Sequence, residues 1–158
     1  MLKNFLAILI SLISLNSFAT EANFIKAGLG LGTKNPADVK LITIGRKYEF
    51  FLLDYKLEVG GWSDSTGRTR SSGMGSFELG LEPRFRNWYA CWFSGIGGIT
   101  NRDESLGSFY QFFHSAGIGV KDYRGVGLGL HYKHISNAGI VQPNQGRDFL
   151  GVELRMPL

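Results

Sequence analysis

Phe77-Glu78-Leu79-Gly80-Leu81-Glu82-Pro83-Arg84-Phe85-Arg86 puts Phe77, Leu79, Leu81, Pro83 and Phe85 on one face of an extended chain. The other face receives Glu78, Gly80, Glu82, Arg84 and Arg86. A period of two belongs to a strand with one oily side, not to a helix. Leu53-Asp54-Tyr55-Lys56-Leu57-Glu58-Val59 repeats the pattern without error. Outward from these two, similar segments run over 23–32, 39–49, 88–99, 109–121, 126–136 and 148–157. That makes eight strands, most of them near the ten residues of a tilted membrane strand.

The connections between the segments alternate in length. Short turns fall near 50–52, 86–88 and 122–125, and longer polar ones near 33–38, 63–73, 100–108 and 137–147. Outer-membrane barrels have short periplasmic turns and long external loops, and an even strand number leaves both termini on the periplasmic side. The fold class expected is therefore all-β, an eight-stranded antiparallel transmembrane β-barrel. Mixed charges fit a narrow lumen and the oily face fits lipid. A soluble ligand-binding barrel inverts those faces and has the same periodicity. Strand lengths, loop alternation and the aromatic residues Trp88, Tyr89 and Trp92 at a strand end favour the membrane form.

Composition bounds the rest. The chain has 158 residues, 44% apolar and 19% charged, with 22 glycines and a formal charge of +4. This length allows one domain with a real core and excludes a multidomain machine. High apolar and aromatic content argues against disorder. Cys91 is the sole cysteine, so it can form no internal disulfide and anchors no zinc set. Basic residues are scattered beside acidic ones, which argues against a nucleic-acid partner. Gly28-Leu29-Gly30-Leu31-Gly32 is followed by no helical pattern, which argues against a nucleotide loop.

The first residues read as targeting. Lys3 gives a positive start, Phe5 to Leu15 is apolar, and Ser17-Phe18-Ala19 carries small residues where a signal peptidase reads. Cleavage is expected after Ala19, leaving residues 20–158 as a single barrel domain of charge +3. A membrane anchor is the alternative, although the apolar run is short for a span of about 20 residues.

The chemistry concentrates in the last hairpin. On one face, Val126, Leu128, Leu130 and Tyr132 lead to His134 and Ser136, and in the final strand Met156, Leu154, Val152 and Leu150 lead to Asp148. Opposed residues of an antiparallel pair share a face. Setting Val126 against Met156 pairs Leu128 with Leu154, Leu130 with Val152, Tyr132 with Leu150 and His134 with Asp148. Ser136 then lies on the histidine's other side. An acid that orients an imidazole, which in turn deprotonates a serine, is the arrangement of an acyl-transfer triad. A slip of two residues keeps the face and loses the adjacency, and interfacial polar residues are the plain alternative. His114 and His131 have no such partners and read as structural, and Glu153 falls on the lumen side.

Height adds a reason. Asp148 to Leu158 spans roughly 33 Å at ~3.3 Å per residue, which rises roughly 25 Å in a strand tilted by about 40°, the height of the apolar band. The triad therefore belongs on the outer wall at the external interface, where a serine meets lipid esters.

The run His134-Ile135-Ser136-Asn137-Ala138-Gly139-Ile140, continued by Gln142-Pro143-Asn144 and Gly146, resembles the PagL family of outer-membrane lipid A 3-O-deacylases. The similarity is specific over 134–148 and looser elsewhere. It implies removal of the ester-linked 3-hydroxyacyl chain at position 3 of lipid A, without cofactor or metal. Ser136 becomes the nucleophile, His134 the base and Asp148 the orienting acid, where the family usually has glutamate. Asn137 matches a position important for family activity, and Asn144 and the amide of Gly139 become candidates for stabilising the oxyanion. Asn144 and Gly146 have plain turn chemistry after Pro143 as their alternative. Arg68 and Arg70, in an external loop, either meet lipid A phosphates or are solvated. Expected partners are lipid A of lipopolysaccharide and the outer membrane itself, with a homodimer left open. A non-catalytic outer-membrane barrel is the rival reading.

Overall fold

The computed structural model describes residues 20–31, 39–50, 53–64, 71–102 and 105–157. The expected signal segment and its cleavage site, as well as Arg68 and Arg70, lie outside them. The strands are β1 (Thr20–Leu31), β2 (Val39–Phe50), β3 (Leu53–Asp64), β4 (Ser72–Leu81), β5 (Arg84–Phe85), β6 (Trp88–Ile99), β7 (Tyr110–Lys121), β8 (Gly127–Ser136) and β9 (Arg147–Met156). Each long strand pairs antiparallel with its sequence neighbour, β9 returns to β1, and β4 pairs with β6. Eight long strands thus close a barrel and leave no free sheet edge, as a membrane-embedded sheet requires. Met156 lies opposite Asn23, so both ends of the described barrel share the rim of the short turns.

Strands β3 and β4 differ most from the periodic reading, and β4 begins at Ser72, ahead of Phe77. The ten-residue alternation of 77–86 is not one strand: β4 ends at Leu81, and β5 forms a two-residue pair with Trp88 and Tyr89. Pro83 interrupts it, because proline has no N–H to give the ladder; its carbonyl still accepts the Ala90 N–H at 3.1 Å. β3 also continues past Val59 to Asp64. Gly60 and Gly61 show no polarity, so alternation is unreadable there; a side chain on Gly60 would collide with the Ile42 carbonyl of β2.

The faces are sorted as in a membrane barrel. Ile42, Ile44, Leu79, Ile96, Leu128, Leu130, Leu150 and Val152 all point outward and are exposed. Lys26, Lys56, Lys133, Glu58, Glu78, Glu153 and Arg155 point inward and are buried. This disposition excludes the soluble ligand-binding barrel, which needs the reverse. Trp88 and Trp92 face outward as expected. Tyr89 does not: strand parity turns it into the lumen, where the Arg155 guanidinium lies 3.8 Å from its ring centre.

The lumen has two tiers. Toward the short turns, Lys56 and Lys133 both contact Glu78 at 2.8 Å, while Lys26 bridges Glu58 at 3.2 Å and Glu153 at 3.3 Å. Toward the long loops, Val39, Leu41, Trp62, Met74, Ile99, Leu106, Phe113, Ile135 and Phe149 form an apolar cluster. Side chains therefore fill the barrel. Glu78 also accepts hydrogen bonds from Ser76 at 2.9 Å and Ser115 at 2.6 Å. Glu78→Ala leaves Lys56 and Lys133 to share Glu58 alone, at 3.2 and 3.1 Å, and breaking such a network costs about 3–5 kcal/mol. A lowered urea midpoint, followed by loss of the compact electrophoretic band, is the expected result; an unchanged midpoint contradicts the network's role.

Candidate active site

The register of β8 on β9 decides what meets on the outer wall. Leu128 lies opposite Leu154, Leu130 opposite Val152, Tyr132 opposite Leu150 and His134 opposite Asp148. These are the pairs expected from the two apolar stripes. The Val126–Met156 pair is absent, because β8 begins at Gly127, opposite Arg155.

His134 Nδ1 donates to Asp148 Oδ1 at 2.7 Å. In the neutral imidazole with its proton on Nδ1, the lone pair is on Nε2, as a general base requires. Ser136 stands two residues further along the same face, at the loop end of β8, with only 9% of its surface exposed. Among the described residues its hydroxyl has no hydrogen bond to His134; such contacts are often open before substrate binds.

The loop beyond Ser136 is built around Asn137. The Ile140 N–H donates to the Asn137 carbonyl at 3.1 Å, and Ala138 and Gly139 have φ of 54° and 77°. Positive φ at both central residues defines a type I′ turn. Glycine adopts this freely; Ala138 is held there by the bonds around it. Asn137 Oδ1 accepts the Gly139 N–H at 3.0 Å, and Asn137 Nδ2 donates to the Val141 carbonyl at 2.7 Å. The Asn137 side chain is thereby a brace for the turn, and the Gly139 amide is engaged within it. Asn144 Oδ1 accepts the Asn137 N–H at 2.9 Å, which leaves the Asn144 Nδ2 group as that side chain's donor.

Gly146, for which turn chemistry is the alternative to a role in the site, packs against His134. Its φ is +72°, and a Cβ there would lie 2.8 Å from His134 Cε1. The imidazole is therefore packed against backbone on one edge and tied to Asp148 on another. No periodic signal carries this, since it arises from the return of the 137–146 loop.

His114 also differs from its expected isolation. It lies opposite His134 on β7, with ring centres 6.1 Å apart, and its Nδ1 is 2.9 Å from Ser94 Oγ of β6. Ser94, His114, His134 and Asp148 thus form one polar row across four strands of an apolar wall. His131 is buried in the lumen, and Glu153 faces Lys26 there, on the far side of the wall. Cys91 is a free thiol within reach of Arg155 in the same lumen. Among the described residues no cluster of histidine, cysteine and carboxylate suited to a metal is found.

Beside the serine the wall opens. Phe112 lies opposite Ser136, and with Asn137, Ile140 and Val141 it borders an apolar groove of about 700 Å³ that reaches Ile96 and Phe77. Gly75 and Gly98 face each other across β4 and β6, so no side chain fills the groove at that height.

Comparison with known proteins identifies the family. Residues 42–157 match the family model described as lipid A 3-O-deacylase (PagL). The lipid A deacylase PagL of Bordetella bronchiseptica is 34% identical over 109 residues, 62% of this chain and 59% of that protein. The lipid A deacylase PagL of Pseudomonas aeruginosa is 34% identical over 70 residues, 41% of this chain and 40% of that protein. These alignments span about half the length of the two relatives. A crystal structure titled as that of the outer membrane enzyme PagL superposes with a TM-score of 0.66 at 18% identity, covering 87% of this chain and 99% of that one. That likeness concerns the fold alone. With the family model matched across most of the chain, the protein belongs to the lipid A 3-O-deacylase (PagL) family.

Proposed function

We propose that this chain is a serine esterase of the bacterial outer membrane that removes the 3-hydroxyacyl chain from position 3 of lipid A. Residues 1–19 serve as its cleaved signal peptide and residues 20–158 as the single barrel domain. The observation that carries the reading is the His134–Asp148 hydrogen bond on the lipid-facing wall, one step from Ser136 and the apolar groove.

Ser136 Oγ attacks the ester carbonyl while His134 Nε2 takes its proton, and Asp148 stabilises the imidazolium that forms. The negative charge grows on the former carbonyl oxygen, where the Asn144 amide is the available side-chain donor. Collapse breaks the bond to the sugar oxygen, which receives the proton from His134, and the acyl group remains on Ser136. Water, deprotonated by His134, then releases the 3-hydroxy fatty acid and restores the serine. No cofactor enters these steps. The groove beside Phe112 and Val141 suits the acyl chain, and its long walls reward an amphiphile presented from a leaflet rather than a soluble ester.

The test is release of free 3-hydroxy fatty acid from lipid A in mixed micelles by the purified barrel, read by gas chromatography. Release of the ester-linked chain with retention of the amide-linked ones is expected. Absence of release by a folded barrel contradicts the reading. In the same assay Gly146→Ala pushes the imidazole by about an ångström, a misplacement worth on the order of 10²-fold in rate. A Gly146→Ala barrel with full activity removes that glycine from the site.

A further inference from the structure

We infer that Tyr132 is a positioning residue that fixes the Asp148 carboxylate for His134, an assignment that rests on the triad reading above. Tyr132 is on the outward face of β8, two residues before His134, and its hydroxyl donates to Asp148 Oδ1. That same oxygen accepts the His134 Nδ1–H. Two donors from one strand thus converge on one carboxylate oxygen of the neighbouring strand.

The strand geometry makes the contact reachable only by a long side chain. Tyr132 lies opposite Leu150, so Asp148 is its diagonal neighbour rather than its partner. Diagonal neighbours sit about 7–8 Å apart, within the span of an aromatic ring and its hydroxyl. On the other side the opposed residue is Ala116, whose small side chain leaves room for the ring against the wall. A tyrosine serving only as an interfacial anchor turns its hydroxyl to water or headgroups. This one, 37% exposed, spends it on a carboxylate within the wall.

The carboxylate needs such a tether. Asp148 stands at the loop end of β9 with 38% of its side chain exposed, and no lysine or arginine contact to it is found among the described residues. With a single donor, an aspartate rotates about its side-chain bonds and aims at His134 only part of the time. A second, charge-assisted hydrogen bond in low dielectric restricts that rotation. Aspartate is also one methylene shorter than glutamate, so its oxygens lie nearer the wall, within the phenol's reach. Tyr132 touches no reacting atom and acts through the acid alone.

The experiment compares Tyr132→Phe with wild type, and repeats the change in an Asp148→Ala background, in the lipid A micelle assay. Ser136→Ala runs beside them, and the compact electrophoretic band reports folding of each. A tenfold fall in kcat with unchanged KM is expected for Tyr132→Phe, roughly the worth of a hydrogen bond to a charged group. No further fall is expected once Asp148 is absent. Full kcat in Tyr132→Phe, a change confined to KM, or an equal loss in both backgrounds overturns the inference. If Ser136→Ala itself retains the rate, the triad reading fails and takes this inference with it. An inactive Ser136→Ala beside a fully active Tyr132→Phe leaves the triad standing and removes Tyr132 alone.

Discussion

Ser136→Ala is expected to lower the release of 3-hydroxy fatty acid by about 10⁴-fold or more while leaving the barrel folded. Loss of a serine nucleophile in a triad removes nearly all of the covalent route, and what remains comes from oxyanion stabilisation and binding. The residue is only 9% exposed at the loop end of β8, and alanine occupies a slightly smaller volume in the same place, so stability changes little. Binding is the separate half of the result. The groove bounded by Phe112, Ile140 and Val141 is untouched, so the variant still associates with lipid A micelles. A variant that neither binds nor folds would report damage to the barrel rather than loss of the nucleophile, and the electrophoretic band distinguishes the two.

Asp148→Asn has the second largest expected effect, on the order of 10³–10⁴-fold in kcat. The structure gives the reason through His134 Nδ1, which donates to Asp148 Oδ1 at 2.7 Å. An asparagine amide can present its N–H₂ to that nitrogen and so stabilise the opposite tautomer. The proton then sits on Nε2, and the lone pair needed by Ser136 is lost. Asp148→Glu keeps the charge and is expected to remain within about tenfold of wild type. Rates for Asp148→Asn close to wild type contradict the role assigned to the acid.

Much of this arrangement is legible in the chain, for identifiable reasons. Two apolar stripes that end at His134 and Asp148 permit few alignments, and the one pairing Leu130 with Val152 is the register found. The lipid-facing and lumen-facing sets separate cleanly because strands have a period of two, as the burial of Lys56, Glu58 and Lys133 against the exposure of Leu128 and Leu130 illustrates. Glycine and proline are where the reading falters. Gly60 and Gly61 hide the continuation of β3, and Pro83 breaks a strand whose side-chain pattern continues through it. Side-chain reach across strands is equally silent in one dimension. The Ser94–His114 contact and the hydroxyl of Tyr132 on Asp148 depend on side-chain reach between neighbouring strands, and the packing of Gly146 on His134 depends on return of a loop.

The apolar upper tier of the lumen has a related consequence. Phe149 and Ile135, directly behind the Asp148 and His134 positions, are fully buried, and Trp62 packs on Phe149 with ring centres 6.1 Å apart. A dense cluster behind the wall holds the strand ends rigid, so that a site built on the exterior keeps its spacing without an enclosing cleft.

The most direct measurement is the mass spectrum of lipid A from cells expressing the wild-type chain beside cells expressing Ser136→Ala at equal outer-membrane abundance. The wild type is expected to produce lipid A lighter by one ester-linked 3-hydroxyacyl group, lost from position 3, and the Ser136→Ala spectrum to match that of cells without the protein. An unshifted wild-type spectrum, or the same shift in Ser136→Ala, contradicts the proposed function.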